Sequence, residues 1–129
     1  MATRVIVSGV VERDGKFLVL KRSGTAHFAP NQWEFINGSL QESETVEKTL
    51  KRELVEETGL ELVSQSKFPV YEISDEDGDW VVLPFRVETK GDITLSQEHS
   101  EYKWASPDEL TQLEGVSEDW QKIGKYFNE

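Results

Sequence analysis

The stretch GSLQESETVEKTLKRELVEETGL, Gly38 to Leu60, carries six glutamates, and Glu53, Glu56 and Glu57 fall within one helical turn. Like charges at such spacing repel, yet the chain already holds 25 acidic against 14 basic residues. A helix fits Glu44 to Thr58, with Ser43 placed to cap its start and Gly59 to end it in a left-handed conformation. At roughly 100° per residue, Val46, Leu50 and Leu54 form one apolar stripe. Glu53 and Glu57 fall in the same arc, Glu56 lies beside it, and Lys48 and Lys51 point the other way. An ordinary acidic helix spreads its carboxylates over a solvated face laced with i,i+4 ion pairs; here the lysines hold that face. Carboxylates gathered beside apolar surface take up protons or find a cation. With oxygen ligands alone, Mg²⁺ or Mn²⁺ suits them. Helix geometry by itself admits both a metal site and a salt-bridged surface.

Outward from this segment the chain alternates strands and turns. VIVSGVV (Val5 to Val11) and KFLVL (Lys16 to Leu20) are β-rich runs joined through Asp14-Gly15, a hairpin pair. Ser23 to Gln32 is turn-rich and reads as an ordered loop, and WEFIN (Trp33 to Asn37) as a short strand. LELVSQSKFPVYEIS and WVVLPFRVET read as two further strands around the acidic turn Asp75 to Asp79, and Pro84 points to an edge or a bulge. EYKWAS leads as a strand into SPDEL, where Ser106, Pro107 and Glu109 make a capping box with proline at the first helical position. Trp120, Ile123 and Phe127 recur at helical spacing and predict a C-terminal amphipathic helix. The mixture predicts one mixed sheet covered by helices. The length of 129 residues suits a single domain, 1–129.

Composition narrows the function. A formal net charge of −11 disfavours nucleic-acid backbones and anionic membranes as partners. A polyanionic small molecule stays open if metal cations mediate the contact. The chain has no cysteine, which excludes thiolate chemistry, disulfides and Cys-based zinc sites. There is no apolar run of membrane-spanning length, and MATRVIVSGVV lacks a signal-peptide layout. A cytoplasmic location is the expectation.

The opening segment also carries a resemblance. The Nudix, or MutT-like, hydrolases share a box written G-x5-E-x7-R-E-U-x-E-E-x-G-U, with U aliphatic. Here it reads Gly38, Glu44, Arg52, Glu53, Leu54, Glu56, Glu57, Gly59 and Leu60, every fixed position at the required spacing. The box covers under a fifth of the chain; VLKR and QWEF before it and EHSEYKWASPDEL after it look like the family too. The resemblance implies an α/β fold, an α/β/α sandwich around a central mixed sheet. It implies hydrolysis of a nucleoside diphosphate linked to another group, with Mg²⁺ (or Mn²⁺) as cofactor. Carried over residue by residue, Glu53, Glu56 and Glu57 would ligate metal and the Gly38 carbonyl would join them. Arg52 would orient a carboxylate, Glu44 would support the loop, and Gly59 would stop the helix. The general base would be Glu53, Glu56 or the outlying Glu98.

The resemblance further places Arg22 against substrate phosphate, the alternative being a strand-end arginine in solvent. One departure stands out: Ile36-Asn37-Gly38 replaces the family's Pro-Gly-Gly. Asn37, beside the substrate, would keep the turn because asparagine tolerates positive φ. Phe28, Trp33, Phe35, Tyr71, Trp80 and Phe85 read first as core and only secondarily as a base-stacking platform. His27 and His99, without ligand spacing, read as ordinary loop histidines. The downstream proline that flags ADP-ribose pyrophosphatases is absent, Asp75 and Glu76 holding its region. Short length and the QWEF entry resemble MutT-type enzymes, which cleave a nucleoside triphosphate to a monophosphate and pyrophosphate. The alternatives are hydrolysis of ADP-ribose, a nucleotide sugar or a dinucleoside polyphosphate, and a non-catalytic nucleotide sensor. The partner is then a small nucleotide rather than nucleic acid or membrane. Relatives often dimerise, which makes a homodimer one arrangement to expect.

Overall fold

The computed structural model describes residues 4–26, 30–75, 78–110 and 112–113. Among these described residues, eight strands and two helices follow in the order β1 (Arg4–Arg13), β2 (Lys16–Arg22), β3 (Trp33–Glu34), β4 (Ile36–Ser39), α1 (Val46–Thr58), β5 (Glu61–Lys67), β6 (Tyr71–Asp75), β7 (Gly78–Lys90), β8 (His99–Ala105) and α2 (Pro107–Leu110). The sheet is mixed. β1 and β7 run parallel from Arg4↔Trp80 to Val11↔Val87, and the other pairs are antiparallel. The Asp14-Gly15 turn has φ of 54° and 76°, as a two-residue hairpin requires.

β2 stays with β1 for only two pairs, Glu12↔Phe17 and Arg13↔Lys16. It then peels away toward β3 and β8, and β4 takes its place along Ile6 to Gly9. The sheet therefore forks, and α1 packs over the fork. Along β1 alternate residues serve two cores. Val7 and Val11 join Leu18, Leu20, Ile36, Leu50, Leu54 and Leu60 under α1. Val10 joins Phe17, Val19, Phe35, Tyr71, Val82 and Leu110 on the opposite face. Complete burial of Leu50 and Leu54 contributes roughly 1.5–3 kcal/mol each.

Several local expectations shift. The cap of α1 is Thr45, not Ser43: Thr45 is extended (φ −81°, ψ 160°) and its side chain accepts from Lys48 N at 3.2 Å. Ser43, at φ 69°, lies in the left-handed region that no N-cap adopts. Gly59 ends the helix at φ 72° as expected. WEFIN divides into β3 and β4 around Phe35, and LELVSQSKFPVYEIS divides at Phe68–Val70 into β5 and β6.

Pro84 is not at an edge, because β7 lies between β1 and the β5/β6 pair. β5 ends opposite Phe85 and β6 begins opposite Val82. The Pro84 carbonyl accepts from Phe68 N at 2.9 Å in the gap between them. A strand residue's N and C=O face the same side, so the missing N–H falls where no ladder bond is due. The Ser106–Glu109 capping box forms reciprocally, at 3.1 and 3.2 Å. The C-terminal helix expected around Trp120, Ile123 and Phe127 lies outside the described residues, as does His27.

Gly9 sits where α1 crosses β1, and a Cβ there would lie 2.9 Å from Leu50 Cδ1. Gly9→Ala should destabilise the protein by about 1–3 kcal/mol through overpacking, measured by denaturant unfolding; an unchanged midpoint would show that α1 can shift away.

Candidate active site

The fork brings together the end of β2, strands β3 and β4, the start of β8 and the inner face of α1. Arg52 organises the helix side. Its Nε and Nη2 donate to Glu44 Oε2 and Oε1 at 2.9 and 3.0 Å, Nη1 to Glu53 Oε1 at 2.7 Å and Glu56 Oε2 at 3.4 Å, and Nη2 also to Ser39 O at 3.2 Å. All five guanidinium N–H donors are thereby used, and Arg52 is held firmly charged by these acids. Glu44 in turn accepts from Thr49 Oγ1 at 3.0 Å and Gln41 N at 3.2 Å. The Arg52 bond above all, helped by these, holds the Glu44 carboxyl down to about 2. Glu44 and Arg52 thus lace the loop after β4 to the helix.

Gly38 is needed for close approach, not for its φ. It pairs with Val7 on the face beneath α1, and a Cβ there would collide with Glu53 Cγ, Cδ and Oε1. Asn37 lies in extended β4 and does not take the positive φ expected of it. The Ile-Asn departure therefore replaces no left-handed turn. Asn37 Nδ2 instead reaches Phe35 O at 3.3 Å and Glu34 Oε1 at 3.4 Å.

The acids differ sharply in environment. Glu56 is exposed. Glu53 is largely covered, and burial pushes its carboxyl up while Arg52 pulls it down. Glu57 is only 4% exposed. Its Oε2 is buried with no hydrogen-bond partner. Burial first, then the charges of Glu53, Glu34 and Glu98, push it up to about 10, against the opposing pull of Arg22. Glu98 is exposed just before β8. Its N–H donates to Ser96 Oγ at 3.3 Å and its carbonyl accepts from Ser23 N at 2.9 Å.

Two participants were not singled out from sequence. Glu34 is buried, and its Oε2 takes Arg22 Nη1 at 2.9 Å and His99 Nε2 at 2.7 Å. His99 is no loop histidine: it is 4% exposed at the start of β8, with Nε2 also 3.9 Å from Glu57 Oε1. One ligand atom each from Glu34, Glu57 and His99 lie within 4.8 Å of one another. The available signal was a charged residue between the aromatics of WEF, a pattern that strand propensity does not favour. Arg22 is therefore not a solvent-facing strand end but is tied to Glu34.

The orphaned Glu57 oxygen, ringed by other carboxylates, fits a site for a divalent cation: without one, burial and those charges favour the protonated carboxyl. In the folded, cation-free protein that proton is held up to about 10, whereas the free carboxyl titrates near 4.5. The folded state binds it more tightly, so this contribution to stability is complete below the unfolded value and is lost as pH rises toward the folded one. The Tm of chelator-treated protein should fall as pH rises through that window. Mg²⁺ or Mn²⁺ should flatten the slope, and Glu57→Gln should reduce it, leaving the smaller part due to Glu53. A pH-independent Tm in chelator would refute this account of Glu57.

Comparison with known proteins agrees with this fold. The NUDIX domain family model matches residues 2–126. Nucleoside triphosphatase NudI of Salmonella newport is 30% identical over 122 residues, covering 85% of this chain and 86% of that protein. The crystal structure of a MutT protein from Methanosarcina mazei Go1 superposes with a TM-score of 0.86 at 23% identity, over 98% of this chain and 93% of that one. The solution structure of the E. coli ORF135 protein gives 0.85 at 26% identity, over 99% and 91%. With Glu53, Glu56 and Glu57 of the box gathered on α1 over a forked mixed sheet, the chain belongs to the NUDIX domain family, the Nudix hydrolases.

Proposed function

We propose that residues 1–129 act as one cytoplasmic domain, a divalent-cation-dependent pyrophosphohydrolase that cleaves a nucleoside triphosphate to a nucleoside monophosphate and pyrophosphate. The observation that carries this is the buried Glu57, its Oε2 unpartnered among Glu53, Glu34 and Glu98. The triphosphatase name of a relative that is covered over 86% of its length supports the substrate class.

Glu53, Glu56 and Glu57, with the Gly38 carbonyl, would hold Mg²⁺ or Mn²⁺, which would neutralise phosphate charge and acidify a water. The remaining roles belong to the chain itself. Arg52 does not meet substrate, since its donors are all engaged. It fixes the Glu53 rotamer over Gly38. Glu98 is exposed at the rim and near enough to raise Glu53 and Glu57, and it would take the proton of the attacking water. Arg22, 25% exposed at its side chain, is a cation facing this acidic cluster and would meet a substrate phosphate. Asn37 would support that edge from β4.

Glu56 is exposed and has one long ion pair, so Glu56→Gln should leave Tm unchanged. Its kcat should fall by more than the ~10–100-fold typical of groups that merely support a ligand. The assay is monophosphate release from nucleoside triphosphates, ADP-ribose, nucleotide sugars and dinucleoside polyphosphates with Mg²⁺. Wild-type turnover confined to ADP-ribose or another non-triphosphate would replace the substrate class. Binding without any turnover would make the chain a sensor, and full Glu56→Gln activity at saturating Mg²⁺ would remove its ligand role.

A further inference from the structure

β8 carries one residue too many for its pairing with β2. Lys21 lies opposite Glu101 and Arg22 opposite His99, leaving Ser100 as a bulge. Bulges re-aim side chains. Without this one, alternation would place Ser100 opposite Arg22 and turn His99 to the far face. With it, His99 shares a face with Arg22. That face also holds Leu18 and Leu20, which are core residues under α1, and Glu34, which pairs with Leu20. Three elements thus converge on one buried oxygen, Glu34 Oε2: β2 through Arg22, β8 through His99, and β3 itself. His99 stands next to Glu98 in sequence and 3.9 Å from Glu57 in space. The same corner is closed by the backbone bond from Ser23 N to Glu98 O.

We propose that Glu34 is a positioning residue: through Arg22 and His99 it fixes the start of β8, and with it Glu98, against the Glu53–Glu57 face of α1. This rests on the hydrolase reading above for its catalytic consequence, but the positioning itself is independent of turnover. Glu34 is 5% exposed, and its Oε2 is taken up by Arg22 and His99. It acts by holding others, as groups behind a metal's ligands do.

The test compares wild type, Glu34→Gln, Glu98→Gln and the double variant. Gln keeps the shape but loses the carboxylate charge that meets Arg22 and His99. Glu34→Gln should lower kcat by about 10–100-fold with KM within about threefold of wild type. Its effect should be much smaller in the Glu98→Gln background, because a displaced Glu98 no longer matters once its carboxylate is gone. Amide exchange at Ser23 and His99 should quicken while Tm stays within a few degrees, and Mn²⁺ affinity by electron paramagnetic resonance should fall. Additive losses, or exchange that is unchanged at both amides, would overturn the proposal. If wild type cleaves nothing on the panel, the hydrolase reading fails alone; exchange and Mn²⁺ affinity then decide, and no change in either overturns the positioning role. Should Glu34→Gln fail to fold, His99→Gln removes the β8 arm while leaving the Arg22–Glu34 pair, and must give the same pattern.

Discussion

The lattice of hydrogen bonds around Arg52 makes the acidic turn of α1 tolerable to the fold. One guanidinium is shared among Glu44, Glu53, Glu56 and the Ser39 carbonyl. It neutralises part of the charge and ties the loop after β4 to the helix. Charge-assisted bonds of this kind are stronger than neutral ones and directional. Arg52 leaves Glu57 uncompensated, since that residue faces the other way, into the fork of the sheet. The fold thus stabilises the outer acids itself and leaves the inner one in need of an outside cation or a proton.

Gly38 and the fork explain why this happens at one place. β2 departs from β1 after two pairs, so β4 must fill the vacated edge and α1 must cover the junction. Bringing α1 that close puts the Glu53 side chain where a Cβ on residue 38 would stand. The glycine is thus dictated by packing between a strand and a helix, and not by a turn. The same closeness removes water from Glu53 and Glu57, which turns ordinary glutamates into ones with raised carboxyl pKa values.

Features encoded by neighbours in sequence were legible. The Asp14-Gly15 hairpin, the Gly59 stop, the Ser106–Glu109 box and the inward lean of Glu53 and Glu57 all follow from local spacing. Features that depend on distant pairing were not. Pro84 reads as an edge residue until β5 and β6 are seen to meet opposite it. Ser43 looks like a cap until its φ excludes it. Glu34 and His99 are 65 positions apart, and nothing in either neighbourhood announces that they touch. His99 in particular reaches the site only because of a register irregularity, and registry is a property of two strands together.

The extra residue in β8 has a consequence for how this protein can vary. Side chains along the outer part of that strand are exposed and free to drift, and its length has slack of one position. Losing Ser100 would seat His99 opposite Arg22 in a regular ladder, so the imidazole would keep its face and only the local kink would go. A single-codon deletion here should therefore be better tolerated than one in β1 or β7, whose continuous ladder holds no spare residue.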